Sequence, residues 1–331
     1  MYKIFLLFIL FGLLAAGCNK PAPPDAPMAT NSTSTQTAET EKQPHAVSLP
    51  ALMQKHYDGR DLKLGKVQAE TSTYTRYFIT YKSGDLTISG IMNVPKGSGP
   101  FPVVIMNHGY IDPAVYTNGR GLRREQDYFA SRGYIVIHPD YRNHAQSDKD
   151  PESEVNMRLG YVEDVINAIY ALKAANLAYA DTNRIAMLGH SMGGGVAQAV
   201  MVVQPDLVRA FMLYAPVSTN MPDNFNRWIV TRPEVASKIT QAYGSPDQSP
   251  EFWKNLSPIN FLDRVKAPVM ISHGTADETV PLEWSQRTYD GLKKANKDAV
   301  FYTYPGEGHE FATAWPTVMQ RTIDFLNEKL K

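Results

Sequence analysis

A single cysteine, Cys18, is all the thiol chemistry available to a chain of 331 residues. No intramolecular disulfide can form, and no Cys/His cluster has metal-ligand spacing, so neither a disulfide framework nor a metal site is expected. An excess of one charge is also lacking. The 33 Lys and Arg residues balance 33 Asp and Glu, which gives nucleic acid or another polyanion no electrostatic reason to bind. No internal repeat is present. No G-x-G-x-x-G turn follows an early strand, which removes the nicotinamide-dependent dehydrogenases and leaves no cofactor to expect. The apolar run at residues 4–14 is too short to cross a membrane as a mature helix.

That short run is better explained as a secretory signal. A basic start (Met1-Tyr2-Lys3) precedes it, and the small residues Ala15-Ala16-Gly17 lead to Cys18. This junction resembles a bacterial lipobox, with Ala15 where that pattern prefers leucine. The resemblance implies cleavage before Cys18, lipidation of Cys18 and a lipid anchor in a bacterial membrane. By the same resemblance, Asn19 implies the outer membrane in a Gram-negative host. An ordinary signal peptide is the alternative. Residues 19 to about 46 are rich in Pro, Ala, Thr, Ser and Gln and poor in large apolar side chains, the composition of a flexible tether. The expected division is a signal at 1–17, a lipidated and flexible segment at 18–47, and one folded domain at 48–331.

The hydrophobic content of 43% suits a domain with a sizeable core. Residues 74–81 and 86–94 are β-rich and are separated by Lys82-Ser83-Gly84-Asp85, a hairpin signal. From Pro102 onward strands alternate with helices. Strands are expected near 101–106, 134–139, 185–188, 209–215, 267–272 and 299–304. Helices are expected at 122–132, 155–175 and 315–330. Such alternation means a mostly parallel sheet with helices on both faces, and ligands bind at the carboxyl ends of its strands.

One turn stands out. The apolar run Ile185–Leu188 leads into Gly189-His190-Ser191-Met192-Gly193, followed by Gly194, Gly195, Val196 and Ala197. A strand, a G-x-S-x-G turn and a small-residue helix place a serine hydroxyl at a strained, exposed tip. The bare motif is common by chance, so its context has to carry it. A serine needs a base, and the base needs an orienting carboxylate. Both follow in order. The strand at 267–272 runs into His273-Gly274-Thr275-Ala276-Asp277, and the strand at 299–304 runs into Pro305-Gly306-Glu307-Gly308-His309. The reading is Ser191 as nucleophile, His309 as base and Asp277 as orienting acid, with Glu278 and Glu283 as the acids to examine next. The order Ser, Asp, His is that of an α/β-hydrolase fold.

The oxyanion hole needs a backbone N–H from the residue after the nucleophile, Met192. A second comes from the loop after an early strand, where Asn107-His108-Gly109-Tyr110 makes Tyr110 the candidate. His108 reads as a structural loop residue. Residues 218–263 interrupt the alternation and carry Phe225, Trp228, Tyr243, Phe252 and Trp253. This is a cap insertion. Its aromatics either line the substrate pocket, with His190, Trp228, Tyr243 and Trp253 as candidates, or pack the cap's own core.

Together these segments resemble the catalytic domain of the prolyl oligopeptidase family of serine peptidases. The resemblance rests on the Ser191 turn, the Asp277 and His309 loops, Asp140-Tyr141-Arg142-Asn143, Tyr243-Gly244-Ser245-Pro246 and Ser257-Pro258-Ile259, and runs from about Thr71 to Lys331. It implies an acyl-enzyme route and a small peptide as substrate. Larger members resemble this domain with a β-propeller in front, for which this chain has no room. Single-domain dienelactone hydrolases and acyl esterases resemble it equally, so a small or carbohydrate-linked ester is the alternative substrate. An inactive binding protein on the same fold is a remote third.

Overall fold

The computed structural model describes residues 43–331. The signal, Cys18 and nearly all of the proposed tether lie outside the described residues. Among the described residues no helix is long and apolar enough to cross a membrane.

Nine strands form one sheet in the order β1-β2-β3-β5-β4-β6-β7-β8-β9. The first three, β1 (Arg60–Glu70), β2 (Tyr74–Ser83) and β3 (Leu86–Pro95), are antiparallel neighbours, and β3 pairs antiparallel with β5 (Ile135–Pro139). From β5 the sheet is parallel through β4 (Phe101–Asn107), β6 (Ala180–His190), β7 (Ala210–Tyr214), β8 (Val269–Gly274) and β9 (Ala299–Tyr304). Chain order departs from sheet order between β5 and β6. The crossover sets adjacent strand ends diverging, where a ligand crevice opens.

The central parallel strands carry continuous apolar runs, at Val103–Met106, Ile185–Leu188 and Ala210–Tyr214, because both of their faces are covered. In β4, Val103 and Ile105 join one buried cluster while Val104 and Met106 join the other. The first cluster packs under α1 (Leu49–Gln54), α3 (Leu159–Ala175), α4 (Met192–Val203) and α8 (Leu282–Lys294); the second packs under α2 (Arg123–Ala130) and α9 (Trp315–Lys329). This is the α/β-hydrolase architecture expected from the alternation of strands and helices.

The structure adds an edge strand, β1, that the strands expected above do not include; it is half-buried or exposed along its whole length. Two details differ from the expectations. Helix α3 begins at Leu159, four residues past Val155, because Met157 and Arg158 are both left-handed, each at φ 55°. The domain takes in residues before Ser48: the compact unit runs from Gln43. Val47 packs on the core, and His45 lies edge-on to Tyr243 and Phe252 at 5.4 and 5.1 Å between ring centres.

The segment between β7 and β8 is the cap. It comprises α5 (Met221–Asn224), a π-helical turn (Phe225–Ile229), α6 (Pro233–Tyr243), α7 (Pro250–Asn255) and a 3-10 turn (Pro258–Arg264). Arg227 joins the cap to the loop after β8, donating to the carbonyls of Thr279 and Glu278 at 2.8 Å each.

Candidate active site

Ser191 sits between the end of β6 and the start of α4 with φ 56° and ψ −121°, outside the regions comfortable for a side chain. The neighbours explain why the chain is forced to turn there. A Cβ on Gly193 would stand 2.0 Å from the Asn107 carbonyl oxygen, and one on Gly189 would stand 2.3 Å from the Gly193 carbonyl oxygen. Only glycine lets α4 approach β4 and β6 so closely. The strained serine is pinned by its main chain: its N–H donates to Tyr214 O at 3.0 Å, and its carbonyl accepts from Val217 at 3.1 Å.

His309 and Asp277 lie in the loops after β9 and β8. These loops are knitted together by Thr275 N–H to Tyr304 O and Ala276 N–H to Glu307 O, at 3.0 and 2.9 Å. Gly274 permits the approach, since a Cβ there would stand 2.2 Å from Glu307 O. The Glu307 carboxylate accepts the N–H groups of Thr313 and Ala314, which fixes the far side of the His309 loop.

Asp277 Oδ2 accepts from His309 Nδ1 at 2.7 Å, and His273 Nε2, which donates to the Val280 carbonyl at 3.0 Å, stands 3.1 Å from the same oxygen. Its Oδ1 accepts the N–H groups of Thr279 and Val280, both at 2.9 Å. Burial pushes this carboxyl up, but the adjacent His273 and His309 rings and the Val280 N–H more than offset it and hold the group well below the usual carboxylate range. A carboxylate only accepts, so His309 Nδ1 carries the proton and its Nε2 lone pair is free to act as a base. Ser191 and His309 line one cavity of about 590 Å³. No hydrogen bond joins Ser191 Oγ to His309 Nε2; such contacts often tighten only when substrate binds.

The N–H groups of Met192 and Tyr110 have no acceptor among the described residues, and both residues line the cavity. Met192 opens α4, so its N–H has no helical partner. His190 also lines the cavity and donates from Nε2 to the His309 carbonyl at 3.1 Å. Burial holds the His190 imidazole below its ordinary value. His108 is fully buried between Tyr116 and Tyr141, and burial lowers its pKa to about 3. Glu278 and Glu283 are exposed and make no bond to His309.

Of the four candidate pocket residues, His190 and Trp228 line the cavity, whereas Tyr243 and Trp253 do not. Trp253 is fully buried inside the cap, edge-on to Phe225 at 4.8 Å, with its indole N–H on Gly244 O at 3.1 Å. Tyr243 stacks on Phe252 at 4.5 Å and donates to Asn156 Oδ1 at 2.9 Å. Trp253 serves the cap's own packing, whereas Tyr243 joins the cap to the body of the domain through Asn156 and His45. Sequence reasoning missed His273, which stands four residues before Asp277 in a motif already singled out. It also missed Glu154, Arg158 and Arg232, which carry no local motif.

A doubly covered parallel sheet with a serine on a strained strand-to-helix turn and a carboxylate-held histidine at neighbouring strand ends defines a serine hydrolase. The chain belongs to the prolyl oligopeptidase family, whose description matches residues 120–331. It is similar to dipeptidyl aminopeptidase BIII of Pseudoxanthomonas mexicana, at 25% identity over 252 residues, 73% of this chain and 34% of that protein. It is also similar to the uncharacterized peptidase YtmA of Bacillus subtilis, at 24% identity over 256 residues, covering 77% of this chain and 93% of the relative. The chain thus spans about a third of the first relative and nearly all of the second. Among solved structures, the fold resembles acylaminoacyl peptidase of Pyrococcus horikoshii, with a TM-score of 0.64, 24% identity, and coverage of 79% of this chain and 43% of that one. It resembles the acetyl xylan esterase of Paenibacillus sp. R4 as well, with a TM-score of 0.64, 21% identity, and coverage of 85% and 92%.

Proposed function

We propose that this serine hydrolase cleaves peptide bonds in small peptides through an acyl-enzyme intermediate, with Ser191 as nucleophile, His309 as base and Asp277 as orienting acid. The observation that carries the assignment is the 2.7 Å bond from His309 Nδ1 to Asp277, which leaves Nε2 free in the cavity that Ser191 lines. His309 takes the serine proton as the hydroxyl attacks, then returns it to the leaving amine. The N–H groups of Met192 and Tyr110 receive the oxyanion, a contribution that commonly amounts to 10²–10³ in rate per donor. Family membership and the two peptidase relatives favour the peptide bond.

A carboxylesterase reading has its own support. The acetyl xylan esterase matches this chain over 92% of its length, and the same acyl-enzyme chemistry serves both bonds. A turnover screen of short acyl esters against aminoacyl and prolyl amides decides between them. Faster amide turnover supports the peptidase, and ester turnover alone overturns it. Labelling by a fluorophosphonate that is lost in Ser191→Ala tests the nucleophile itself.

The domain layout is part of the proposal. A signal at 1–17, lipidated Cys18 and a tether would hold the hydrolase outside the cytoplasm on a bacterial membrane. The support is the residue pattern at Met1–Lys3 and Ala15–Asn19. Cys18→Ser should move the protein from the membrane fraction to the soluble one.

A further inference from the structure

The Ser191 cavity contains a charge cluster that the hydrolytic assignment leaves unused. Glu154 accepts from Arg158 Nε at 2.7 Å and Nη2 at 3.0 Å, and from Arg232 Nη1 at 2.8 Å. All three residues line the cavity. Among the described residues neither arginine has another acidic partner, so two guanidinium groups share one carboxylate. Glu310, the other acid on the cavity wall, is 74% exposed; its nearest partner is His190 at 3.9 Å.

The cluster is not a solvated surface pair. The Arg158 side chain is 19% exposed and those of Arg232 and Glu154 about a third. Arg158 Nη1 lies 3.2 Å from Met192 Sδ, and the guanidinium stands 4.8 Å from the centre of the Tyr110 ring. It is therefore clamped between the side chains of the two residues assigned to the oxyanion hole. Two successive left-handed residues, Met157 and Arg158, each at φ 55°, deliver it there, a backbone arrangement that side chains adopt only under constraint. Arg158 belongs to the body of the domain and Arg232 to the cap, so the pair faces the cavity from both parts. A half-buried excess cation beside apolar walls of Leu49, Val162 and Met221 is stabilised by an anion.

We propose that the cavity selects substrates bearing a carboxylate outside the scissile bond, seated on Arg158 and Arg232. This inference rests on the hydrolase reading of the same cavity. Two matched substrate pairs test it with the full chain: a nitrophenyl glutarate monoester against its methyl-capped diester, and a dipeptide free acid against its amide. The acid form should be preferred at least tenfold in kcat/KM in one of the pairs at low ionic strength. The preference should shrink in molar salt. Arg232→Gln and Arg158→Gln should each reduce the ratio of acid to neutral turnover at least fivefold. A ratio near one in both pairs, or one unchanged by both substitutions, overturns the proposal. Failure of the hydrolase reading is seen separately, as absent turnover of all substrates and absent fluorophosphonate labelling. In that case tryptophan fluorescence still reports binding, since Trp228 lines the cavity. Glutarate should then bind at least tenfold tighter than glutaramide, and equal binding overturns the proposal.

Discussion

His190 donates its Nε2–H to the main-chain carbonyl of His309 at 3.1 Å, and the two rings stand 4.5 Å apart. A carbonyl only accepts, so this bond fixes the His190 tautomer. The residue before the proposed nucleophile thereby holds the backbone of the proposed base, which couples the β6 turn to the loop after β9. On the proposed mechanism His190 is a positioning residue. Replacing it with alanine is expected to lower kcat about tenfold with a smaller change in KM, because the His309 loop loses an anchor while the cavity walls remain. Steady-state kinetics on any turned-over ester read the split.

Ser191→Ala should reduce turnover by 10³ or more, leaving only what binding and the oxyanion donors supply. Ser191→Gly should also be inactive, yet more stable than wild type by about 1 kcal/mol, because glycine relieves the strain at φ 56°. Denaturant unfolding of the two variants side by side checks the sign.

Asp277→Asn should lower kcat by about 10³–10⁴, because an amide directs the His309 proton to the wrong nitrogen. The wild-type carboxyl is held below its ordinary value near 3.9, so its stabilising contribution is complete above that pH and is lost as pH falls further. The stability gap between wild type and Asp277→Asn is therefore expected to be constant from pH 7 to about pH 5 and to close below about pH 4.

Four buried histidines supply a second pH effect. Burial lowers His108 to about 3, and lowers His138, His144 and His190 as well. The unfolded chain takes up these protons first, near pH 6.5, so stability is complete above that value and declines as pH falls toward 3. Unfolding free energies at pH 7.5 and pH 5.5 should differ, with the protein less stable at the lower pH.

Trp253→Ala and Trp228→Ala should separate cap core from cavity wall. Emptying the fully buried Trp253 site should cost about 3–5 kcal/mol. Trp228→Ala should instead raise KM severalfold with a stability change under about 1.5 kcal/mol, because this residue is only half-buried and lines the cavity. Thermal unfolding and kinetics on both variants test the contrast.

Much of this was legible in the sequence because the signals are local. Apolar runs followed by Gly-x-Ser-x-Gly, His-Gly-Thr-Ala-Asp and Gly-x-Gly-His fall at strand ends, where alternating β and α units put their loops together. The hairpin of β2 and β3 follows from β-rich residues around Gly84-Asp85. The boundary of α3 was not legible, since left-handed Met157 and Arg158 carry no turn residue to announce them. Nor was the division among the cap aromatics: Trp228 and Trp253 look alike in sequence, and only the fold of the insertion turns one toward the cavity and buries the other.

The sequence by itself determined the β2–β3 hairpin and the parallel strands, the order of the serine, acid and histidine loops, and the glycines that the tight turn requires, because strand periodicity and steric exclusion act over a few neighbouring residues. Tertiary structure alone decided that His273 lies against the Asp277 carboxylate, that His190 anchors His309, and that Glu154, Arg158 and Arg232 meet at the cavity. These are contacts between groups up to 119 positions apart, and the forces that make them, hydrogen bonding and charge in a half-buried space, depend on distance in the folded chain rather than on spacing along it.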